Sequence, residues 1–221
     1  MLNKLIIAVL SAAVCAGASA GTIIGATGAV INSGGPGYGN IADTYNQNGL
    51  STGYTSGVTD FATYMAGAPL HTTTFGGFEW FGNLSTTSAT VTYDLGSTRR
   101  IDAFALWNEE SSGIGAFNLY TSTDGLGFSL LAGGLAPLNN PSGSNYGAEV
   151  FSFAATNTRY VRLEMSGCPQ PSNGAVTFDA CAIGEVAFDA TAAAADVPEP
   201  ASLALLGLGI AGLVGARRKR A

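Results

Sequence analysis

From residue 89 to residue 188, apolar and polar positions alternate in short runs set apart by turn residues. The three-to-four spacing of an amphipathic helix is absent there. Ala89, Val91, Tyr93 and Leu95 alternate with Thr90, Thr92 and Asp94 as far as Gly96, which predicts a strand with one buried face. Further strands are expected at residues 101–107, 116–122, 128–132, 149–153, 160–165 and 183–188, with a turn at Thr123-Asp124-Gly125 after the second of these. Strands of this number and spacing, with no crossover helices between them, predict an all-β fold, a sandwich or jelly roll. Arg159 and Arg162 stand three apart on one expected strand, so they should point to opposite faces.

Two apolar runs fall outside this pattern, one at each end. Lys4, the apolar stretch 5–16 and the small residues Ala18-Ser19-Ala20 form a signal peptide, with the mature chain expected to start near Gly21. Cys15 follows Val14 rather than a small residue, so it reads as part of the apolar stretch and not as a lipid attachment point. At the other end Pro198, Glu199 and Pro200 precede an uncharged apolar run, 201–216, and then Arg217, Arg218, Lys219 and Arg220. The prolines favour an extended entry to the run. As a helix it would span about 24 Å, short of the roughly 30 Å hydrocarbon core, so it makes a weak membrane anchor. The four cations should keep the extreme C-terminus cytoplasmic and leave the preceding chain across the membrane. The expected organisation is a signal peptide at 1–20, one β-domain at 21–190, a linker at 191–197 and a targeting tail at 198–221.

Charge narrows the partners. Without its ends, the stretch from residue 21 to 199 holds fifteen acidic residues and four arginines, a net charge of −11 and no lysine. Such a field repels nucleic acid and anionic lipid and suits a multivalent cation or a neutral glycan. Cys168 and Cys181 are the one pair left in a chain bound for an oxidising space, and a disulfide between them is expected. The loop it closes is worth about 3 kcal/mol in the chain-entropy model.

No catalytic residue is expected. No nucleophile-elbow pattern surrounds a serine, His71 is the only histidine, and no phosphate-cradling glycine loop is present. Glu109 and Glu110 are adjacent, which predicts carboxylates splayed apart. Tyr54, Phe61, Tyr64, His71, Phe75, Phe78, Trp80 and Phe81 crowd the region before residue 89; they suit either a core or a surface for stacking on sugars. Candidate ligand-binding residues are Trp80 and Phe81, Trp107 at a strand end, and Asn108, Glu109 and Glu110 in the loop that follows it.

The tripartite tail from Val197 to Ala221 resembles the PEP-CTERM sorting signal of exopolysaccharide-producing Gram-negative bacteria. That resemblance implies recognition at Pro-Glu-Pro by an exosortase, then cleavage and release or attachment at the cell surface, with the membrane engaged only transiently. The order Val91-Thr92-Tyr93-Asp94-Leu95-Gly96, residues 101–108, residues 117–125, Arg159-Tyr160-Val161-Arg162-Leu163 and Ile183-Gly184-Glu185-Val186 is similar to the discoidin, or coagulation-factor C, domain. The resemblance spans roughly residues 22–189 and implies a galactose-binding-like jelly roll that binds through loops at one end. The Cys168 and Cys181 pair departs from it, since many members join their two chain ends. The family's calcium implies a shell from Asp43, Asn46, Asn48 and Ser51 with the distant Glu185. An Asx-rich surface turn is the other reading of that loop. The expected function is an exported, non-catalytic module for polysaccharide or glycan; the alternative is a structural matrix component without a dedicated ligand.

Overall fold

The computed structural model describes residues 21–171 and 178–191. The expected signal peptide, most of the linker and the whole sorting tail with its apolar run lie outside the described residues. Among the described residues no helix is long and apolar enough to cross a membrane.

The described residues form twelve strands: β1 (Thr22–Ile24), β2 (Gly28–Ser33), β3 (Tyr38–Gly39), β4 (Leu70–His71), β5 (Trp80–Phe81), β6 (Ser88–Trp107), β7 (Ala116–Ser122), β8 (Ser129–Leu135), β9 (Tyr146–Gly147), β10 (Glu149–Ser166), β11 (Ala182–Ile183) and β12 (Glu185–Thr191). A seven-stranded sheet runs β1-β12-β6-β10-β7-β8 with β2 also paired to β6; smaller sheets are β11-β5-β3 and β4-β9. The sheets form a β-sandwich. A short helix, α1 (Phe61–Ala66), interrupts the β pattern. Asp60 caps it by accepting the Thr63 N–H at 2.7 Å, and Phe61 and Tyr64 turn inward. It is too short to show a helical repeat in the sequence.

Four of the expected strands are two. Residues 89–95 and 101–107 belong to the single strand β6, and residues 149–153 and 160–165 to the single strand β10. Gly96 does not end a strand: its φ of +79° kinks β6, and the Asp94 carboxylate accepts its N–H at 2.8 Å. In β10 the register against β6 slips between Ser152 and Thr156 and again between Thr158 and Tyr160. The second slip turns Thr158 inward, where its hydroxyl donates to the Ser122 carbonyl at 3.0 Å. The alternation is thereby reset, and Arg159 and Arg162 do not take opposite faces. Arg159 grips Asp94 with two bonds of 2.9 Å, while Arg162 lies 3.6 Å over the Phe128 ring. Asp94, Phe128 and Arg162 line one shallow groove.

The end of β6 explains the run Phe104-Ala105-Leu106-Trp107. Phe104 and Leu106 enter the main core with Val91, Tyr93, Phe117, Leu163 and Phe188, whereas Ala103, Ala105 and Trp107 enter a second core with Ile23, Phe61, Tyr64 and Tyr146. A strand covered on both faces reads as a continuous apolar run, not as alternation. The Cys168 to Cys181 disulfide is formed and buried, tying the end of β10 to the approach to β11. Phe104 meets Phe117, Phe151 and Phe188, with ring centroids 5.5 to 6.5 Å away. Phe104→Ala is therefore expected to cost about 3–5 kcal/mol in urea denaturation, with an unchanged slope.

Candidate functional site

Strand β6 ends at Trp107, and the chain beyond it is folded around the side chain of Asn108. Asn108 Oδ1 accepts the Ile114 N–H at 2.8 Å, and its amide nitrogen lies 3.0 to 3.2 Å from the Gln170 side-chain oxygen and the Leu138 and Ile114 carbonyls. Asn140 donates to the Asn108 carbonyl at 2.7 Å. Asn108 is thus a buried organiser of three loops and not a ligand contact at the surface.

The loop so fixed carries Glu109 and Glu110 inward, with an oxygen of each within 4.8 Å of the other, against the expectation that they splay apart. Glu109 accepts the Ser111 N–H at 3.0 Å and the Ser111 hydroxyl at 2.8 Å, as well as the Ser112 N–H. Glu110 Oε1 accepts the Gly143 N–H at 3.3 Å. Glu79, which precedes β5, accepts the Tyr146 hydroxyl at 2.6 Å and has His71 Nδ1 3.6 Å away. All three glutamates are buried. Burial first, then the neighbouring carboxyls of Glu110 and Glu79, push the Glu109 carboxyl up to about 9. Burial and then Glu79 likewise hold the Tyr146 phenol well above its ordinary range.

These acids border a cavity of about 280 Å³ that is also lined by Tyr38, Thr73, Phe75, Phe81, Ser111 and Phe178. Its aromatic side is a chain of edge contacts: Tyr38 on Phe178 and Phe178 on Phe81 at 5.3 Å, and Phe81 on Phe75 at 5.1 Å. Tyr38 and Phe75 keep 46% and 44% of their surface open. Trp80 and Trp107 do not supply a platform. Both are fully buried, and their indole N–H groups donate at 2.9 Å to the carbonyls of Pro36 and Pro69. Phe81 reaches the cavity only from the core. Of the residues singled out from the sequence, Phe81, Glu109 and Glu110 line this cavity. Sequence reasoning did not single out Tyr38, Thr73 or Phe178 as ligand residues, and it left Phe75 and Glu79 inside an undifferentiated aromatic run.

The expected calcium loop is partly assembled. A 3₁₀ turn (Ile41–Thr44), capped by Asn40, places Asp43 where Asn40 N–H and the Asn46 amide donate to it at 3.2 and 3.0 Å. Glu185, wholly buried at the start of β12, accepts the Gln47 N–H at 3.2 Å. Burial, with Asp43 adding to it, raises the Glu185 carboxyl well above the usual range. Asn48 is exposed at its side chain, and the Ser51 hydroxyl accepts the Leu70 N–H at 2.9 Å. The loop gathers Asp43, Asn46 and Glu185; Asn48 joins through its backbone N–H, which donates to Asn46 Oδ1 at 2.8 Å, and the Ser51 hydroxyl is engaged with Leu70 instead.

Comparison with known proteins identifies the motif in the tail. Residues 196–220 match the family model described as the PEP-CTERM protein-sorting motif. The chain carries a PEP-CTERM sorting signal. That signal implies an exported protein. No curated protein matches this PEP-CTERM chain. Among similar solved structures is chitosan-binding module 1 of a chitosanase/glucanase from Paenibacillus sp. IK-5, at 14% identity and a TM-score of 0.47, covering 75% of this chain and 95% of that one. Another is the CBM32 module of AlyQ in complex with 4,5-unsaturated mannuronic acid, at 18% identity and a TM-score of 0.44, covering 75% and 96%. A third is a CBM32 module from Clostridium perfringens in complex with GalNAc-β-1,3-galactose, at 17% identity and a TM-score of 0.41, covering 53% and 84%.

Removing the organiser of the acidic loop should loosen the site. Asn108→Ala leaves the Ile114 N–H and the Leu138 carbonyl without their buried partner, and a loss of about 2–4 kcal/mol of unfolding free energy is expected. Hydrogen exchange should then speed up at Ile114 while the centre of β6 stays protected.

Proposed function

We propose that this exported protein is a non-catalytic binding module for polysaccharide, and that the cavity between Tyr38, Phe75 and the glutamates receives the glycan. The observation that carries this reading is the pairing, in one cavity, of half-open aromatic rings with carboxylates and the Ser111 hydroxyl. Rings cover the apolar C–H faces of a sugar, while carboxylates and hydroxyls accept and donate to its hydroxyl groups. The strongly negative field disfavours nucleic acid and leaves a glycan as the partner of fitting chemistry. Delivery follows from the tail: an exosortase recognises Pro198, Glu199 and Pro200, the apolar run tethers the chain to the membrane for a time, and processing leaves the domain at the cell surface or in the matrix.

Asp43 and Glu185 also fit a structural calcium. Glu185 is buried without a cation and has Asp43 as its neighbour, while the nearby Tyr54 hydroxyl is buried with no partner among the described residues. Asp43, Glu185 and the Asn46 side-chain carbonyl would hold the ion, which would supply the positive charge that this buried pair lacks.

On an array of neutral and acidic polysaccharides the purified protein should bind saturably. Phe75→Ala and Tyr38→Ala should each weaken that binding about tenfold, or about 1.4 kcal/mol, with the fold retained in circular dichroism. Silence across the array would favour the matrix component without a ligand. Calcium should raise the melting temperature of the native chain, and Glu185→Gln should reduce that rise, as followed by calorimetry against a chelator control.

A further inference from the structure

We infer that Glu79, Glu109 and Glu110 form a second cation site, for calcium, in the wall of the cavity and apart from Asp43 and Glu185. One carboxylate oxygen from each of the three lies within 4.8 Å of the others. Oxygens that share one calcium at its usual bond length stand no more than roughly 5 Å apart, so a single ion reaches all three without movement of the backbone.

The hydrogen-bond pattern indicates the same occupant. Glu109 is engaged by the loop behind it, Glu79 by Tyr146 and Glu110 Oε1 by Gly143. Glu110 Oε2 has no hydrogen-bond partner among the described residues, although the residue is only 8% exposed and lies in the same cluster as Glu79 and Glu109. A buried carboxylate oxygen without a donor, in a group of three carboxyls that come within 4.8 Å of one another, is a point of negative potential that a cation relieves. The described residues contain no lysine, and no arginine among them pairs with these acids; the one ion-pair partner beside the cluster among them is His71, with Nδ1 3.6 Å from Glu79 Oε1. His71 is the nearest nitrogen base, and its Nδ1 is already 2.8 Å from the Thr72 carbonyl.

The donor set selects the ion. It is all oxygen and rich in carboxylates that ligate through one atom or two, which suits calcium's six to eight flexible positions. It lacks the thiolate and imidazole that favour zinc or copper. The three ligands come from the segment before β5 and the loop after β6, so the ion links two parts of the cavity wall. In one respect the inference rests on the glycan reading: sugar binding should weaken when this ion is withdrawn.

The test is calorimetric titration of calcium chloride into the purified, chelator-treated full chain, repeated with Glu110→Gln and with Glu185→Gln. The expected result is a calcium equivalent that is lost in Glu110→Gln and kept in Glu185→Gln. Glu110→Gln removes an unpaired buried charge, so without calcium it should melt no lower than the native chain; this shows that the lost binding is not lost folding. The inference is overturned if Glu110→Gln takes up calcium as the native chain does, if every bound equivalent is lost in Glu185→Gln, or if the native chain binds none. A glycan screen in calcium and in chelator reads the further step separately. Calcium uptake without any glycan binding would overturn the glycan reading and leave the cation site standing.

Discussion

Burial of the last turns of β6 on both faces is the constraint from which the rest of the architecture follows. Phe104 and Leu106 point into the sandwich core, and Ala103, Ala105 and Trp107 point into the second core beneath α1 and the loops before it. A strand held from both sides has no freedom to slide, because a shift of one residue would exchange its large and small faces. The chain therefore leaves Trp107 at a fixed place and in a fixed direction. Asn108 then turns the loop back on itself, and Glu109 and Glu110 are directed inward toward Glu79 instead of out to water. The exposed rings of Tyr38 and Phe75 line the same cavity.

Much of the sandwich was legible from alternation. The run from Ala89 to Leu95 and the strand Ala116–Ser122 form as their patterns require, and the two cysteines pair. What alternation misread was continuity. Gly96 resembles a terminator, yet the Asp94 carboxylate holds its N–H and the strand carries on. The bulges of β10 are equally silent in the sequence, because a slipped register is fixed by the partner strand and not by the residue itself. Thr158, a small polar residue turned into the interior, is the local sign of that slip, and it decides where Arg159 and Arg162 go.

The cavity was legible only in part, for a physical reason. Glu109 and Glu110 stand out as an acidic loop after an apolar strand, but their inward direction depends on Asn108 meeting Leu138 and Gln170, both distant in the chain. Trp80 and Trp107 attract notice as large rings beside loops. Each has a proline carbonyl waiting for its indole N–H, a contact that composition cannot reveal. Tyr38 belongs to a two-residue strand among glycines and a proline, too short for any periodic signal, and Phe178 reaches the cavity from the far end of the domain. The rings that stay open are therefore those the sequence pattern marks least.

The PEP-CTERM tail and the cavity answer different questions, one of destination and one of contact. The central claim is that the glycan enters at the cavity and not along the shallow groove lined by Phe128, Tyr160 and Arg162. The direct measurement is an NMR titration of the isotope-labelled protein with a series of neutral and acidic oligosaccharides. Saturating shifts concentrated at Tyr38, Thr73, Phe75 and Ser111 are the predicted result; shifts centred on Phe128, Tyr160 and Arg162, with the cavity unmoved, would contradict it.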